Sequence, residues 1–153
     1  MRHAPRTTVS ALLLVALGGA AGSAGRSAIA LALPGSPLAA TLLVNVVGAF
    51  ALGVLIAVLT GTAPEGRDGG EQARRRRDRQ LRARFLLGTG LCGGFTTYSA
   101  LALQAAELVQ DSAMLTAAGY ALVTLVAGTS ASVAGLALGG AVGARRSAER
   151  GRS

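Results

Sequence analysis

The sequence predicts an all-α membrane protein of four transmembrane helices, the third of them broken at Gly93-Thr97. Three observations carry this reading. Residues of the AVILMFWYC set make up 51% of the 153, and the charges gather in a few places, leaving four segments long enough to cross a bilayer. The arginines fall almost entirely on one side of such an arrangement. The third segment also carries the stretch GLCGGFTTYS, Gly90 to Ser99, which places glycines and hydroxyl residues where each weakens or competes with a helical backbone.

In chain order, residues 1–8 form a short basic N-terminus, and residues 9–142 the four-span membrane domain. The first span, about 9–33, is interrupted only by Arg26. It lacks a short apolar core with a cleavage site and reads as a retained span instead of a signal peptide. The second span, 38–60, has no charge; the third, 85–109, has one acid, Glu107; the fourth, 114–142, again has none. Pro34-Gly-Ser-Pro37 and Gln110-Asp-Ser112 are the turns within the two pairs. Residues 61–84 make a soluble loop that begins as a Gly-rich linker and ends as a helical extension of the third span. Residues 143–153 are a basic tail.

Every basic side chain other than His3 is an arginine, and their placement sets the topology. Arg2 and Arg6 precede the first span. Arg67, Arg74, Arg75, Arg76, Arg77, Arg79, Arg82 and Arg84 lie in the long loop, with Glu65, Asp68, Glu71 and Asp78 among them. Arg145, Arg146, Arg150 and Arg152 close the chain. Four spans put these fourteen on one side and Arg26 alone towards the other. By the positive-inside rule both termini face the cytoplasm, in a multi-pass protein of the cell membrane. No aromatic interleaves the arginines, so the loop reads as a solvated segment touching anionic headgroups and not as a nucleic-acid binder. One cysteine gives no disulfide or metal cluster, and with no positioned nucleophile and base an enzyme has no support.

Small residues are expected to hold the helices together: Gly18, Gly19, Gly22 and Gly25 in the first span, Gly48 and Gly53 in the second, Gly135 and Gly139 in the fourth. Four such thin helices enclose little interior, which points to an oligomer. Polar residues at membrane depth carry the functional information. Asn45 is either an interhelical hydrogen-bond bridge or an amide donor lining a polar path. Arg26 either snorkels to the outer interface or attracts anions. Tyr120 and Thr124, four apart, share a face of the fourth span. In the third span, Gly93-Gly94 permits backbone torsions that other residues resist, while Thr96, Thr97 and Ser99 can hydrogen-bond a backbone that leaves the helix. Such a break is tolerated only when protein encloses it or it lines a cavity. Its freed carbonyls suit a hard cation such as Na+; the lone Cys92 reads as a small packing residue.

Three motifs now identify a resemblance over about residues 10 to 142: Gly18-Gly-Ala-Ala-Gly22 followed by Arg26, Thr41-Leu-Leu-Val-Asn45-Val-Val-Gly48-Ala-Phe50, and Gly90-Leu-Cys-Gly-Gly-Phe-Thr-Thr-Tyr-Ser99. The chain resembles the Fluc (CrcB) family of fluoride channels. The resemblance implies an antiparallel dimer with two fluoride pores and a structural Na+ at its centre, bound by backbone carbonyls matching Gly93 and Thr96. It implies a pore-facing Asn45, and a polar track matching Tyr120 and Thr124. It places Thr97, Tyr98 and Ser99 on the fluoride path. Where the family's TTFSTF signature has two phenylalanines, this chain has Tyr98 and Leu101, and Gln104 stands where an acid often follows. With so strong an arginine bias, an inverted paralogous subunit could supply both the second orientation and the missing rings. A small multidrug-type exporter would also have four spans, but it needs a membrane-buried carboxylate, and the first span offers Arg26. A non-conducting membrane scaffold would explain the charges but not the break.

Overall fold

The computed structural model describes residues 4–61 and 70–150, with no strand among them. Arg2, His3, Glu65, Arg67, Asp68 and Arg152 lie outside the described residues, as does most of the Gly-rich linker. Helices α1 (Ala4–Ala32) and α2 (Pro37–Gly61) form a first hairpin. Helix α3 (Glu71–Ala83) runs without interruption into a π-helical stretch, Arg84–Cys92, and then into the single turn α4 (Gly93–Phe95). After Thr96 and Thr97, α5 (Tyr98–Gln110) completes the third span, and α6 (Met114–Arg150) is the fourth. Four helical runs are long and apolar enough to cross a membrane: Val9–Ala32, Pro37–Thr60, Glu71–Gln110 and Met114–Arg145.

Local chemistry explains the ends. Pro37 opens α2, where its missing amide hydrogen costs nothing and its fixed φ suits a first turn. Between α5 and α6, Ser112 adopts φ 60°. Its N–H donates to the Val109 carbonyl at 3.1 Å, and the Ala113 N–H donates to the Leu108 carbonyl at 2.8 Å. This is a Schellman ending with serine in the position glycine usually takes.

Packing follows two seams. Along one, α2 lies against α6; along the other, α1 lies against the π-helical stretch and α4. Glycine makes both possible. A methyl added at Gly53 would overlap the Ser132 carbonyl oxygen, and one at Gly135 that of Phe50. On the α1 seam a methyl at Gly18 would overlap the Leu86 carbonyl oxygen, one at Gly22 that of Leu91, and one at Gly94 that of Gly19. Backbones that touch in this way gain dispersion and weak polar contacts that lipid cannot replace. Among the described residues the buried set other than glycines is small: Ala40, Thr41, Val44, Cys92, Thr97, Ala117 and Thr124, with Val44 the most enclosed at 1% exposed. Most large apolar side chains, Leu12, Leu31 and Leu115 among them, point outward, as expected of helices solvated by lipid.

Candidate functional site

The third span leaves the helix at Thr96 (φ −78°, ψ 157°) and Thr97 (φ −149°, ψ 119°). Its glycines do not make the break. Gly93 is helical at φ −66°, and no described glycine has positive φ. Gly94 instead serves close approach to α1, and Gly48 makes room for the methyl of Thr96. The torsional freedom expected of Gly93-Gly94 is therefore unused. The backbone is diverted from outside.

What diverts it is Asn45 of α2. The Thr97 N–H donates to Asn45 Oδ1 at 2.8 Å, and Asn45 Nδ2 donates back to the Thr97 carbonyl at 3.1 Å. One primary amide thus takes the Thr97 N–H from the preceding helix and adds a second donor to the carbonyl of the same residue, which as N-cap also opens the hydrogen-bond ladder of α5. In an unbroken helix the Thr97 N–H would serve the Gly93 carbonyl, so that oxygen loses its donor. The Thr96 N–H and hydroxyl both donate to the Cys92 carbonyl, at 3.0 and 2.9 Å. The hydroxyl of Ser23 reaches the Gly94 carbonyl at 3.4 Å. On the far side Thr97 caps α5, its Oγ1 accepting the Ala100 N–H at 3.2 Å, with Ser99 Oγ also 3.2 Å away.

Asn45, Thr97, Tyr98 and Thr124 share one open groove of about 590 Å³, together with Leu101 and Thr129. Asn45 can make four hydrogen bonds and spends two on Thr97, which leaves an amide hydrogen for the groove. Thr124 turns its hydroxyl into its own helix, donating to the Tyr120 carbonyl at 2.8 Å, and so offers the groove lone pairs. Tyr98 is 81% exposed.

Residues 13–136 match the family described as CrcB-like protein, Camphor Resistance. A relative named fluoride-specific ion channel FluC 2, from Leifsonia xyli subsp. xyli, is 42% identical over 137 residues, covering 88% of this chain and 87% of its own. Fluoride-specific ion channel FluC of Paracoccus denitrificans is 41% identical over 131 residues, covering 83% and 92%. Its namesake in Agrobacterium fabrum is 38% identical over 133 residues, covering 84% and 94%. The chain belongs to the Fluc/CrcB family. It is accordingly a multi-pass membrane protein, its four apolar helices being the spans.

Other positions singled out in this Fluc/CrcB sequence sit apart from the groove. The Tyr120 hydroxyl donates to Gln104 Oε1 at 2.7 Å, and Gln104 Nε2 donates to Thr41 Oγ1 at 3.0 Å and to the Pro37 carbonyl at 3.2 Å. This network ties α2, α5 and α6 together near the two short turns. Gln104 was legible only as a departure from the family's acid; its role as a three-helix tie depends on contacts 63 and 67 residues away. Arg26 lines a second groove, about 340 Å³, with Ser27, Thr41, Thr97 and Gln104. Thr97 borders both grooves and is 7% exposed. Gly93 lies on an open face: among the described residues, nothing outside its own helical backbone comes within 4 Å of where its Cβ would be.

Proposed function

We propose that this chain is a subunit of a passive, fluoride-selective channel of the cell membrane. The observation that carries the reading is the two-way hydrogen bond between Asn45 and Thr97. It holds an irregular backbone at membrane depth and leaves one amide hydrogen facing a groove. The names of the relatives in the family supply the ion. A small anion is expensive to dehydrate, and a path for it must replace water by fixed donors without trapping the ion. Asn45 and the Tyr98 hydroxyl are such donors, Thr97, Ser99 and Thr124 complete the polar side of the path, and Tyr120 stands behind it in the tie to Gln104. Arg26, beside the neighbouring groove, draws anions towards it. Fluoride entering a cell as neutral HF ionises inside, and a passive channel then lets it leave down its gradient.

The same reading includes an antiparallel dimer with a structural Na+ at its centre, on the carbonyls of Gly93 and Thr96. The residues fit such an ion. The Gly93 carbonyl has lost its helical donor, and the Thr96 hydroxyl is turned back onto Cys92, so what the break offers is backbone oxygen. Hard oxygen ligands suit a hard cation, and among the described residues no group of His, Cys, Asp or Glu competes for a transition metal. Bound there, Na+ would neutralise carbonyls that no amide reaches. The fourteen-to-one arginine bias keeps both termini in the cytoplasm, so the second orientation comes from an inverted paralogous subunit, which also brings a ring to the place of Leu101.

Fluoride efflux from liposomes tests the reading, with chloride as control and the chain reconstituted alone and with an inverted paralogue. Electrogenic fluoride flux with no chloride flux is expected, largest for the pair, and reduced when Na+ is removed from both sides. Electroneutral flux, or equal passage of chloride, would refute it.

A further inference from the structure

A groove of about 470 Å³ lies between α2 and the π-helical stretch, at the end of the bundle away from the two short turns. Leu52, Leu55, Ile56 and Leu59 form one wall, Gly88 and Thr89 the other, and Arg84 is its one charged residue. Gly88 keeps the slot open: an added methyl would sit 3.5 Å from Leu55 Cδ2, so anything longer would fill it. Arg84 stands about one turn beyond Gly88, on the side where α2 ends and the arginine helix begins. The ion pair found among the described residues, Arg75 to Glu71, does not involve it. Arg77, seven residues earlier, continues the same face upward.

An apolar slot that leads out to a guanidinium at the membrane–water boundary matches an amphiphile with an anionic head. A peptide strand laid in the slot would bury backbone groups with nothing to bond, a cost an acyl chain does not carry. Basic pockets between transmembrane helices on the arginine-rich side suit phosphate headgroups. We propose that this groove binds an anionic glycerophospholipid, one acyl chain lying along Leu52 to Leu59 and the phosphate on Arg84.

Native mass spectrometry of the full-length protein in detergent tests this. The probes are dioleoylphosphatidylglycerol and dioleoylphosphatidylcholine, which share their acyl chains and carry an anionic and a zwitterionic headgroup respectively. The anionic phosphatidylglycerol should be retained about fivefold better, the contribution of one arginine near an anionic surface. Arg84→Gln should erase that preference and Arg84→Lys keep most of it, while Gly88→Leu should weaken retention of both lipids. Circular dichroism establishes that each variant is folded. Equal retention of the two lipids by the unaltered protein would overturn the proposal. So would an equal loss in Arg79→Gln, which would show diffuse attraction to the arginine helix. A Gly88→Leu protein that changes its oligomeric mass yet holds lipid as before would give the groove to a second copy of the chain.

Discussion

The two glycine seams use one device and end differently. Along α2 and α6, Gly53 and Gly135 bring backbones into contact, and both helices continue unbroken through it. Along α1 and the third span, Gly18, Gly22 and Gly94 do the same, yet within two residues of Gly94 the helix stops. Glycine therefore explains the closeness of both seams and the break of neither. The difference is Asn45, which reaches Thr97 on one seam and has no counterpart on the other.

The largest effect should come from a substitution that strikes both seams alike. Leucine at Gly22 or at Gly53 would drive a side chain into a neighbouring backbone carbonyl, with no flexible group able to yield. Each should cost more than the roughly 1–3 kcal/mol typical of overpacking and abolish the folded species in size-exclusion chromatography. If Gly53→Leu folds normally, the α2–α6 contact is not a tight seam.

Asn45→Ala separates the seams. It leaves the Thr97 N–H without its partner at membrane depth, at a cost of about 1–3 kcal/mol for an unsatisfied group. The protein should stay folded but lose most fluoride flux, and amide exchange at Thr97 should rise selectively. A folded variant with full flux and an unchanged exchange pattern would return the break to the glycines.

Tyr120→Phe removes one hydrogen bond from the tie among α2, α5 and α6. Interhelical hydrogen bonds in membranes average about 0.6 kcal/mol, so a drop of a few degrees or less in melting temperature is expected. A loss of flux far larger than that drop would instead put the tyrosine hydroxyl on the ion path.

The smallest effect on the single chain should come from Gly93→Ala. The residue is already helical and its Cβ would meet nothing within 4 Å, so stability of the monomer should be unchanged or slightly improved. Any damage from Gly93→Leu should therefore appear in the association of subunits, read by cross-linking, and not in the fold of one. Unfolding of the monomer by Gly93→Leu would contradict this.

The four spans were legible because lipid demands long uncharged runs, and these leave plain gaps between clusters of arginine. The vicinity of the break was legible too, since Thr96, Thr97 and Ser99 beside paired glycines are unusual at such depth. Its cause was not. Local sequence points to Gly93-Gly94 because torsional freedom is a local property, whereas the amide that takes the Thr97 N–H lies 52 residues earlier. The π-helical winding of Arg84–Cys92 left no signature in periodicity, and such winding is recognised only from hydrogen bonds. For Asn45 the sequence leaves two readings open, and the structure shows the bridge to Thr97, with an amide hydrogen to spare.

An uninterrupted helix hides its peptide dipoles from itself, because the negative end of each turn faces the positive end of the next. At Thr96 and Thr97 that cancellation fails. The run ending at Phe95 presents the negative end of its dipole and α5 begins with the positive end of its own, each equivalent to about half an elementary charge. One kink thus places attraction for a cation and attraction for an anion a few residues apart in a low-dielectric layer. No ionised side chain of the third span takes part: from Phe85 to Gln110 the one such residue is Glu107, well beyond the kink. Being built of backbone, this pair of opposite fields does not titrate, so acid that silences a carboxylate site would leave it standing.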